Sequence, residues 1–400
     1  MIRRLSSEAD IQAMYELSSY AFKGFTPESF DDQTYRLFQE KALQAHNYGF
    51  FMHQNLVSKI MSFPFTVNVY DKEYRMGGIG NVASYPEARG QGAIRQLFTS
   101  LFDDYRENNT VLSYLAPFSH HFYRKFGYAT AMDEETCTIQ GSDLPTFPMD
   151  DCHSISRFSV KEDDILEDLK RIYKKTLATE HGSLQQRDDW WWQYQVNKYP
   201  NRHVALLSVD GQVATSYLIY EMNASQLTFN VIEMASSSID ELKSLCSFIK
   251  SHISSYHTFI FKHGLTNDLS FLLQEPGSVK RQLETSMMIR IVLFQPFIES
   301  FPLALVGPDQ TLTIHVEDEF CEWNHGNWKI TRENNQHVCR KVDSSQATDL
   351  SGSIETWTQL LFNYKSAQQL HVSGKLSGDI QFLDFLNMTN QPQPYIYDYF

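Results

Sequence analysis

Apolar and polar positions between residues 76 and 128 follow the periods of two strands and one helix. Residues 77–83 form an apolar, glycine-bearing segment, which is typical of a buried strand. From residue 94 to residue 105, apolar side chains recur at spacings of three and four, which predicts a helix with one buried face. A glycine-containing loop joins these two segments, and residues 110–115 predict a further strand. The pattern therefore indicates a strand–loop–helix–strand unit.

The residues before this unit predict two helices and a hairpin. Ser7 and Asp10 have the spacing of a capping box, so a helix starts there, and residues 32–43 predict a second helix. Short apolar segments at residues 48–52, 57–63 and 65–70 predict strands, the first two joined by a turn at residues 53–55. Residues 136–139 are expected to close this first unit, and residues 141–148 to form a linker.

The same order of elements recurs after the linker. It comprises strands and helices predicted at residues 155–160, 165–176, 203–208, 213–220, 227–234, 240–253 and 258–261. Asp210 and Gly211 are a tight hairpin signal between two of these strands. Residues 236–239, which precede the second long helix, contain no glycine. We therefore expect a second copy of the first fold that lacks its glycine loop.

The last part of the chain predicts a small α+β unit. Its predicted strands are residues 287–294, 312–316, 328–331, 338–342 and 350–354, and its predicted helices are residues 354–361 and 380–386. The three tryptophans at residues 190–192 would point in different directions on a helix, so both packing and a pocket wall remain open for them. The aromatic segment 395–400 would be costly to leave in water, so we expect it to dock.

Composition restricts the possible classes of protein. With 400 residues, 42% of them hydrophobic and 20% charged, the chain should form two or three globular domains. It has no run of 18 apolar residues, and its start runs into polar residues without an apolar core, so neither a membrane span nor a signal peptide is expected. Five scattered cysteines favour a reduced cytoplasm, without disulfides or structural zinc. A net charge of −14 disfavours nucleic acid and suits a cationic partner, or serves solubility alone.

The loop at residues 84–92 has the chemistry of an anion site. Gly90 and Gly92 precede a helix, whose free N–H groups and dipole favour a negative charge. The Walker A and dinucleotide fingerprints are both absent. What remains is Val82, Pro86, Arg89 and Gly92, a spacing that resembles the pyrophosphate loop of the GNAT (GCN5-related N-acetyltransferase) proteins. A tight turn without a ligand is the other interpretation of such a loop.

A second segment carries the same resemblance. Residues 117–119 (Pro-Phe-Ser) and 122–128 (Phe-Tyr-Arg-Lys-Phe-Gly-Tyr) look like the last part of the GNAT core. The whole chain, with an intact first unit, a second unit without the loop and a sterol-carrier-like third, resembles the Eis (enhanced intracellular survival) family of N-acetyltransferases. Segments 182–184, 287–292 and 398–400 also match, and Ile94, which departs from the general GNAT pattern, agrees with that family.

The resemblance implies a fold, a cofactor and a reaction. The fold is α+β, with tandem GNAT-like folds over residues 1–145 and 146–290 and a sterol-carrier-like domain over residues 291–400. Acetyl-CoA would lie along Val82, Ala83, Ser84, Gly90, Gln91, Gly92, Ala93, Ile94, Arg95, Phe118 and Ser119. Tyr123 would protonate the departing thiolate, and the carboxylate of Phe400 would be the base. The acceptor would be an aminoglycoside, peptide or other amine, and the assembly a hexamer; no metal is implied.

Several alternatives stay open from the residues themselves. Tyr128 competes with Tyr123 as acid, although packing suits it better, and His120 and His121 are other possible bases. An α-carboxyl has a pKa of roughly 3.5 in water, so we expect Tyr395, Tyr397 and Tyr399 to desolvate it and raise that value. The candidates for an acidic acceptor pocket are Glu28, Asp31, Asp32 and Asp398, although each of them taken singly suits a solvated acidic face better. A lipid- or ligand-binding protein with a vestigial acetyltransferase is the competing function.

Overall fold

A computed structural model of the chain describes residues 1–24, 31–265, 269–273, 275–303, 310–334, 336–379, 382 and 392–400. It divides into two compact units. The first contains Met1–Met132, Ser286–Pro394 and Tyr399–Phe400, and the second contains Asp133–Thr285 and Tyr395–Asp398. None of the helices among these residues combines the length and apolarity needed to cross a bilayer.

Strands and helices alternate along the whole chain. The strands are β1 (Ile2–Leu5), β2 (His46–Met52), β3 (Asn55–Val69), β4 (Lys72–Ser84), β5 (Leu112–Leu115), β6 (Ala129–Thr130), β7 (Asp133–Gln140), β8 (His153–Ser159), β9 (His203–Val209), β10 (Ala214–Asn223), β11 (Thr228–Ala235), β12 (Thr258–His263), β13 (Lys280–Thr285), β14 (Met288–Ile291), β15 (Leu312–Glu317), β16 (Gly326–Glu333), β17 (Gln336–Val342), β18 (Leu350–Ser353) and β19 (Leu376–Gly378). The helices are α1 (Glu8–Lys23), α2 (Asp32–Gln44), α3 (Ala93–Glu107), α4 (His120–Arg124), α5 (Leu166–Lys175), α6 (Asp189–Lys198), α7 (Ile239–Lys250), α8 (Phe294–Ser300), α9 (Ile354–Leu361) and α10 (Ala367–Val372).

The first sheet has the order β1-β2-β3-β4-β5-β14-β6. β4 and β5 run parallel and pair only from Met76 to Ile79 on β4, although β4 continues to Ser84. α3 buries the apolar face that the sequence predicted, and the capping box at Ser7 is confirmed. The two strands predicted at residues 57–63 and 65–70 are one strand, β3. Pro64 fits inside it because β2 pairs only as far as Ser62, so one side of Pro64 needs no donor.

The second sheet has the order β13-β7-β12-β11-β10-β9-β8. It repeats the first arrangement, with β11 and β12 parallel and α7 between them in sequence. The Asp210–Gly211 hairpin is confirmed, and both residues have the positive φ that such a turn requires.

Two strand assignments from the sequence were wrong. The strand expected to close the first unit is β7, which pairs with β12 and β13 in the second sheet. The strand expected to enter the third unit is β14, which pairs with β5 and β6 in the first sheet. Pairing partners so distant in sequence leave no local signal, because any half-buried strand of the same pattern fits either sheet.

The third sheet, in the first unit, has the order β17-β16-β15-β18-β19 with α9 and α10 following β18. It confirms the small α+β unit. The helix predicted at residues 380–386 lies outside the described residues apart from Phe382.

A buried ion pair inside the first unit supports the segment that carries Tyr123. The Arg290 side chain is fully buried, bonds to both carboxylate oxygens of Asp318 at 2.9 and 2.7 Å, and donates to the carbonyl of Phe126. A Cβ at Gly127, where φ is +76°, would collide with the Arg290 guanidinium. Glycine is therefore required at this position both for its backbone conformation and for space.

We expect Asp318→Ala to lower the free energy of unfolding by about 3–5 kcal/mol, because it leaves a buried guanidinium without its counter-ion. Urea titration followed by tryptophan fluorescence measures the change. Glu333→Ala, which breaks the exposed pair of Glu333 with Arg340, is the matched control and should change little. Equal effects of the two substitutions would contradict the role given to Arg290.

Candidate active site

A bulge in β4 separates two parts of the candidate site. Lys59 of β3 pairs with Ala83, but Met61 pairs with Gly80, so β4 has one residue more than β3 between these points. Asn81 takes up that extra length with a φ of +55°, which asparagine tolerates better than most residues. Beyond the bulge, β4 has left β5 and leads into the glycine loop.

The glycine loop leads into α3, and the backbone N–H groups in the first turn of that helix are free of helical hydrogen bonds. A short turn at Pro86–Ala88 is followed by Gly90 and Gly92, whose φ values of +77° and +74° suit glycine. The first helical bond runs from the N–H of Gln96 to the carbonyl of Gly92. The N–H groups at the start of α3 therefore lack helical partners and carry the positive end of the helix dipole.

A groove of about 630 Å³ opens over this helix start. Most of the residues expected to hold acetyl-CoA line it, namely Val82, Ala83, Ser84, Gly90, Gly92, Ala93, Ile94, Arg95 and Phe118. Two others do not: Gln91 donates to the carbonyl of Glu87, and Ser119 caps α4 by accepting the N–H of Phe122. A Cβ built at Gly90 or Gly92 meets no atom within 4 Å, so the space above both glycines is open.

Three cationic side chains add to the anion-binding character of the groove. Arg89, Arg95 and Lys125 line it, and all three are exposed. Arg95 also lies over the ring of Phe320, at 5.1 Å. Free N–H groups, open space above two glycines and exposed cations together suit a diphosphate, so the residues present fit acetyl-CoA. Sequence reasoning missed Lys125, and also Ala21 and Phe22 of α1, which form another wall.

Tyr123 lies on α4 in an aromatic cluster next to this groove. Its ring is 3% exposed and has Phe118, Phe122 and Phe98 as edge-on neighbours at 5.3, 5.2 and 6.3 Å. Among the described residues its hydroxyl has no hydrogen-bond partner. Burial, helped by the nearby Tyr399, raises the pKa of Tyr123 above its usual value. The hydroxyl therefore stays protonated and available as a donor.

The competing residues have different surroundings. The hydroxyl of Tyr128, which is fully buried, forms a 2.6 Å hydrogen bond with Ser113, whose own hydroxyl lies 3.0 Å from the carbonyl of Gly77. This is a packing arrangement. His121 is exposed, whereas Nε2 of His120 is buried and has no partner among the described residues. His120 therefore remains the stronger of the two histidine alternatives.

Phe400 occupies a slot made by two alternating glycines of β4. Its ring packs on Gly78, where a Cβ would be 2.8 Å away, and next to Phe65 and Phe63 at 5.4 and 6.4 Å. Its carboxyl carbon and oxygen lie 2.9 Å from a Cβ built at Gly80. The sequence showed these glycines as part of a strand but did not show that they create this slot. Because they are two residues apart in a strand, both lie on the same face of the sheet.

The expected tyrosine surroundings of the Phe400 carboxyl were wrong. Tyr399 is 65% exposed, whereas Tyr395 and Tyr397 are held inside the second unit by their hydroxyls, which donate to Glu134 and Glu180. Phenyl rings and glycine backbone surround Phe400 instead. The aromatic character of the segment was a correct indication of docking but not of its partners.

Asp398 is not part of an acidic acceptor pocket. It is buried in the second unit, where its Oδ1 accepts from Trp191 at 2.7 Å and lies 2.8 Å from Nε of Arg187. Arg187 also forms a bidentate pair with Glu233 at 2.9 and 2.6 Å. Trp191, the middle tryptophan of the triplet, thus binds the C-terminal segment. The triplet therefore has a packing role, to which Trp191 adds one hydrogen bond.

The other acidic candidates are not gathered either. Asp31 caps α2 by accepting the N–H groups of Gln33 and Thr34, and Asp32 is the first residue of that helix. Both are exposed. Glu28 lies outside the described residues.

The helix start of the second unit differs from that of the first. Ser238 caps α7 by accepting the N–H of Glu241, whose buried carboxylate accepts from the hydroxyls of Thr215 and Ser216. A carboxylate and a serine thus occupy the positive end of α7, whereas the start of α3 carries glycine and open space. This arrangement disfavours a phosphate at α7 by charge.

Comparison with known proteins identifies three domains along the chain. Models of the acetyltransferase (GNAT) domain match residues 2–131 and 183–291, and a sterol carrier protein domain matches residues 294–397. No curated protein matches the chain. A conserved protein from Enterococcus faecalis V583, described as a probable N-acyltransferase, is 30% identical over 100% of this chain and 99% of its own, with a TM-score of 0.90.

Two more distant structures share the fold over the full length. A GCN5-related N-acetyltransferase from Anabaena variabilis is 21% identical, with 100% of both chains covered and a TM-score of 0.85. Eis1 from Mycobacterium abscessus is 16% identical, with 100% of both chains covered and a TM-score of 0.81.

The fold and the glycine loop thus define an acetyltransferase of the GNAT class, which uses acetyl-CoA and an acceptor substrate. Within that class, the chain belongs to the family of the Enterococcus faecalis protein. Its tandem GNAT folds and C-terminal sterol carrier domain confirm the fold expected from the sequence.

Proposed function

We propose that this chain is an Eis-type N-acetyltransferase that transfers the acetyl group of acetyl-CoA to a primary amine. One observation carries the proposal: the carboxyl group of Phe400 lies against Gly80, on the strand that also provides a wall of the groove. A proton acceptor and a thioester site would thus share β4, separated only by the bulge at Asn81. Tyr123, on α4, supplies a buried hydroxyl in the same unit.

In this proposal acetyl-CoA supplies an activated thioester, and the chain binds it by two kinds of contact. The N–H groups of Ala93, Ile94 and Arg95, with the exposed cations of the groove, bind the diphosphate. The backbone of β4 at residues 82–84 binds the pantetheine arm, and Phe118 lies near its end. Gln91 and Ser119 act indirectly, by holding the loop and α4 in place.

The chain moves two protons in the reaction. The carboxylate of Phe400 accepts one proton from the acceptor amine as the N–C bond forms. The tetrahedral intermediate then collapses, the C–S bond breaks, and the hydroxyl of Tyr123 donates its proton to the thiolate. Holding amine and thioester together accounts for much of the rate, because it makes the reaction effectively unimolecular.

We further propose a role for each domain and a chemical class for the acceptor. The first GNAT-like domain carries catalysis, the second binds no acetyl-CoA, and the sterol-carrier-like domain ends in Phe400. A cationic amine, such as an aminoglycoside or a basic peptide, suits the net charge of −14. By the resemblance to the Eis family, we also propose that the working assembly is a cytoplasmic hexamer.

Two measurements on the full chain test the proposal. Thermal denaturation with and without acetyl-CoA should show a clear rise in Tm, because a ligand at a hundred times its Kd stabilises a protein by about 2.7 kcal/mol. Thiol release with a panel of aminoglycosides, polyamines and basic peptides should then identify an acceptor. If millimolar acetyl-CoA produced no shift while fatty acids did, the chain would instead be a lipid-binding protein with a vestigial acetyltransferase.

Gly92→Val tests the glycine loop. Valine is strained at a φ of +74°, so the helix start should move and weaken one or two charge-assisted hydrogen bonds to the diphosphate. Each such bond contributes about 1.5–3 kcal/mol, so KM for acetyl-CoA should rise at least about tenfold. Gly211→Val is the matched control, because Gly211 has a φ of +68° and equal open space in the β9–β10 hairpin. A similar KM in both variants would remove Gly92 from the cofactor site.

A further inference from the structure

Lys59 is a buried lysine in the first unit that has no place in the mechanism above. Its side chain is 0% exposed, and among the described residues no carboxylate pairs with it. The desolvation of this amine, with Lys41 nearby, lowers the pKa of Lys59 well below its usual range. Burying an amine without a counter-ion is costly, so the contacts that it does make require an explanation.

Among the described residues, the side-chain hydrogen bonds of Lys59 go to a single residue, Asn81, and Nζ also lies 5.4 Å from the centre of the Phe38 ring. Nζ donates to both the backbone carbonyl and the side-chain oxygen of Asn81, each at 2.9 Å. Either protonation state of the amine has enough N–H groups for both bonds. The same side-chain oxygen lies 2.7 Å from Oγ of Ser18, which ties the bulge to α1 as well.

Asn81 is the residue at which the two parts of the site meet. Gly80, immediately before it, faces the carboxyl group of Phe400, and Val82, immediately after it, lines the groove. Asn81 has a positive φ and sits in the bulge, a conformation that must be held by its surroundings. Lys59 supplies that support from the opposite strand.

Lys59 also lies on the correct face of the sheet. Alternate residues of a strand share a face, so Lys59, Phe63 and Phe65 of β3 all point to the side on which the Phe400 ring packs. A change at Lys59 would therefore act on the bulge directly, from the side of the proposed base, and would leave the helix start at Ala93 untouched.

We propose that Lys59 is a positioning residue of acetyl transfer, which holds the Asn81 bulge and so sets the spacing between the Phe400 carboxyl and the thioester groove. This inference rests on the proposed function. Without Lys59 the bulge can relax, the base and the thioester lose their alignment, and binding of acetyl-CoA persists. The expected signature is a loss in kcat with little change in the affinity for acetyl-CoA.

The test compares Lys59→Met with Lys41→Met, which removes a neighbouring lysine whose Nζ lies 6.0 Å from the centre of the Phe63 ring. We expect Lys59→Met to lower kcat about 10–100-fold, as small misplacements of reacting groups do. KM for acetyl-CoA and the acetyl-CoA-induced rise in Tm should stay within twofold of the parent, and Lys41→Met should resemble the parent. A folded Lys59→Met variant with the parent's kcat would overturn the inference. So would a decrease in kcat that disappears when the variant is assayed well below its own Tm, because that decrease would come from unfolding.

A second pair of variants decides the matter if Lys59→Met does not fold. Asn81→Gly keeps the carbonyl and suits a positive φ, whereas Asn81→Val disfavours that conformation while Lys59 remains. We expect kcat to fall less than about fivefold in the glycine variant and more than about tenfold in the valine variant. Equal values would overturn the inference. A parent chain that released no thiol with any amine would instead refute the proposed function.

Discussion

Tyr123→Phe is expected to lower kcat about 10²–10⁴-fold, the range typical of a lost general acid, while KM for acetyl-CoA changes little. The substitution removes one hydroxyl that has no hydrogen-bond partner among the described residues, so the aromatic cluster of Phe98, Phe118 and Phe122 stays packed. Steady-state thiol release, with thermal denaturation to verify folding, measures the effect. A variant with more than a third of the parent's kcat would exclude Tyr123 as the acid.

Tyr128→Phe is the matched control for this prediction. Its hydroxyl is engaged with Ser113, so its removal should cost about 1 kcal/mol of stability and leave kcat close to that of the parent. A larger loss of kcat in Tyr128→Phe than in Tyr123→Phe would reverse the assignment of the acid.

The pH dependence of the parent follows from the same site. Burial raises the pKa of Tyr123, and it is the protonated form that donates, so that active form persists to higher pH than for a free tyrosine. Loss of the donor should therefore begin only above about pH 10, and kcat should not decline between neutral pH and that point because of Tyr123. Tyr123→Phe should keep the same profile below pH 9 at a lower level.

Local patterns were enough to predict the elements that position the cofactor groove. The helical spacing from Ile94 to Tyr105 and the glycines before it depend only on neighbours in sequence, and the structure has α3 and the loop where they indicated. The repeat was also recognisable, because the Asp210–Gly211 hairpin and the long α7 pattern recur in the same order.

Contacts between distant residues were not predictable in the same way. Whether β7 and β14 join one sheet or the other is decided by pairing with strands more than a hundred residues away. Asp398 was a candidate for an acidic acceptor pocket because its charge is visible in the sequence, whereas its partner Arg187 is more than two hundred residues away along the chain. Lys59 looks like any lysine in a strand, and only the bulge at Asn81 gives it a reason to be buried.

The slot for Phe400 depends both on a local sequence pattern and on a contact between residues far apart in the chain. Gly78 and Gly80 are recognisable as small residues on one face of a strand, and the aromatic tail is recognisable as a segment that must dock. Nothing in the sequence connects the two, because a slot is defined by the absence of side chains. A run of alternating glycines in a central strand, together with an aromatic segment, is a pattern that could be searched for in related chains.

Converting the Phe400 carboxylate to a carboxamide, by intein-mediated ammonolysis, is expected to lower kcat about 100-fold or more, since it removes the proposed proton acceptor. The shape of the residue is almost unchanged and its ring keeps its contacts with Gly78 and Phe65, so Tm should stay within about 2 °C of the parent, as expected for a substitution that removes no packing. Thiol release and thermal denaturation on the same preparation measure both quantities.

Two further variants separate loss of the charge from displacement of the segment. Gly80→Ala would place a methyl group 2.9 Å from the carboxyl carbon, so it should lower kcat by displacing the carboxylate while leaving its charge intact. A short peptide added after Phe400 should do the same, whereas the same peptide added before Met1, which is 79% exposed, should not. If the carboxamide kept the parent's kcat while Gly80→Ala lost it, the slot would be needed for packing only, and the buried Nε2 of His120 would become the leading candidate for the base.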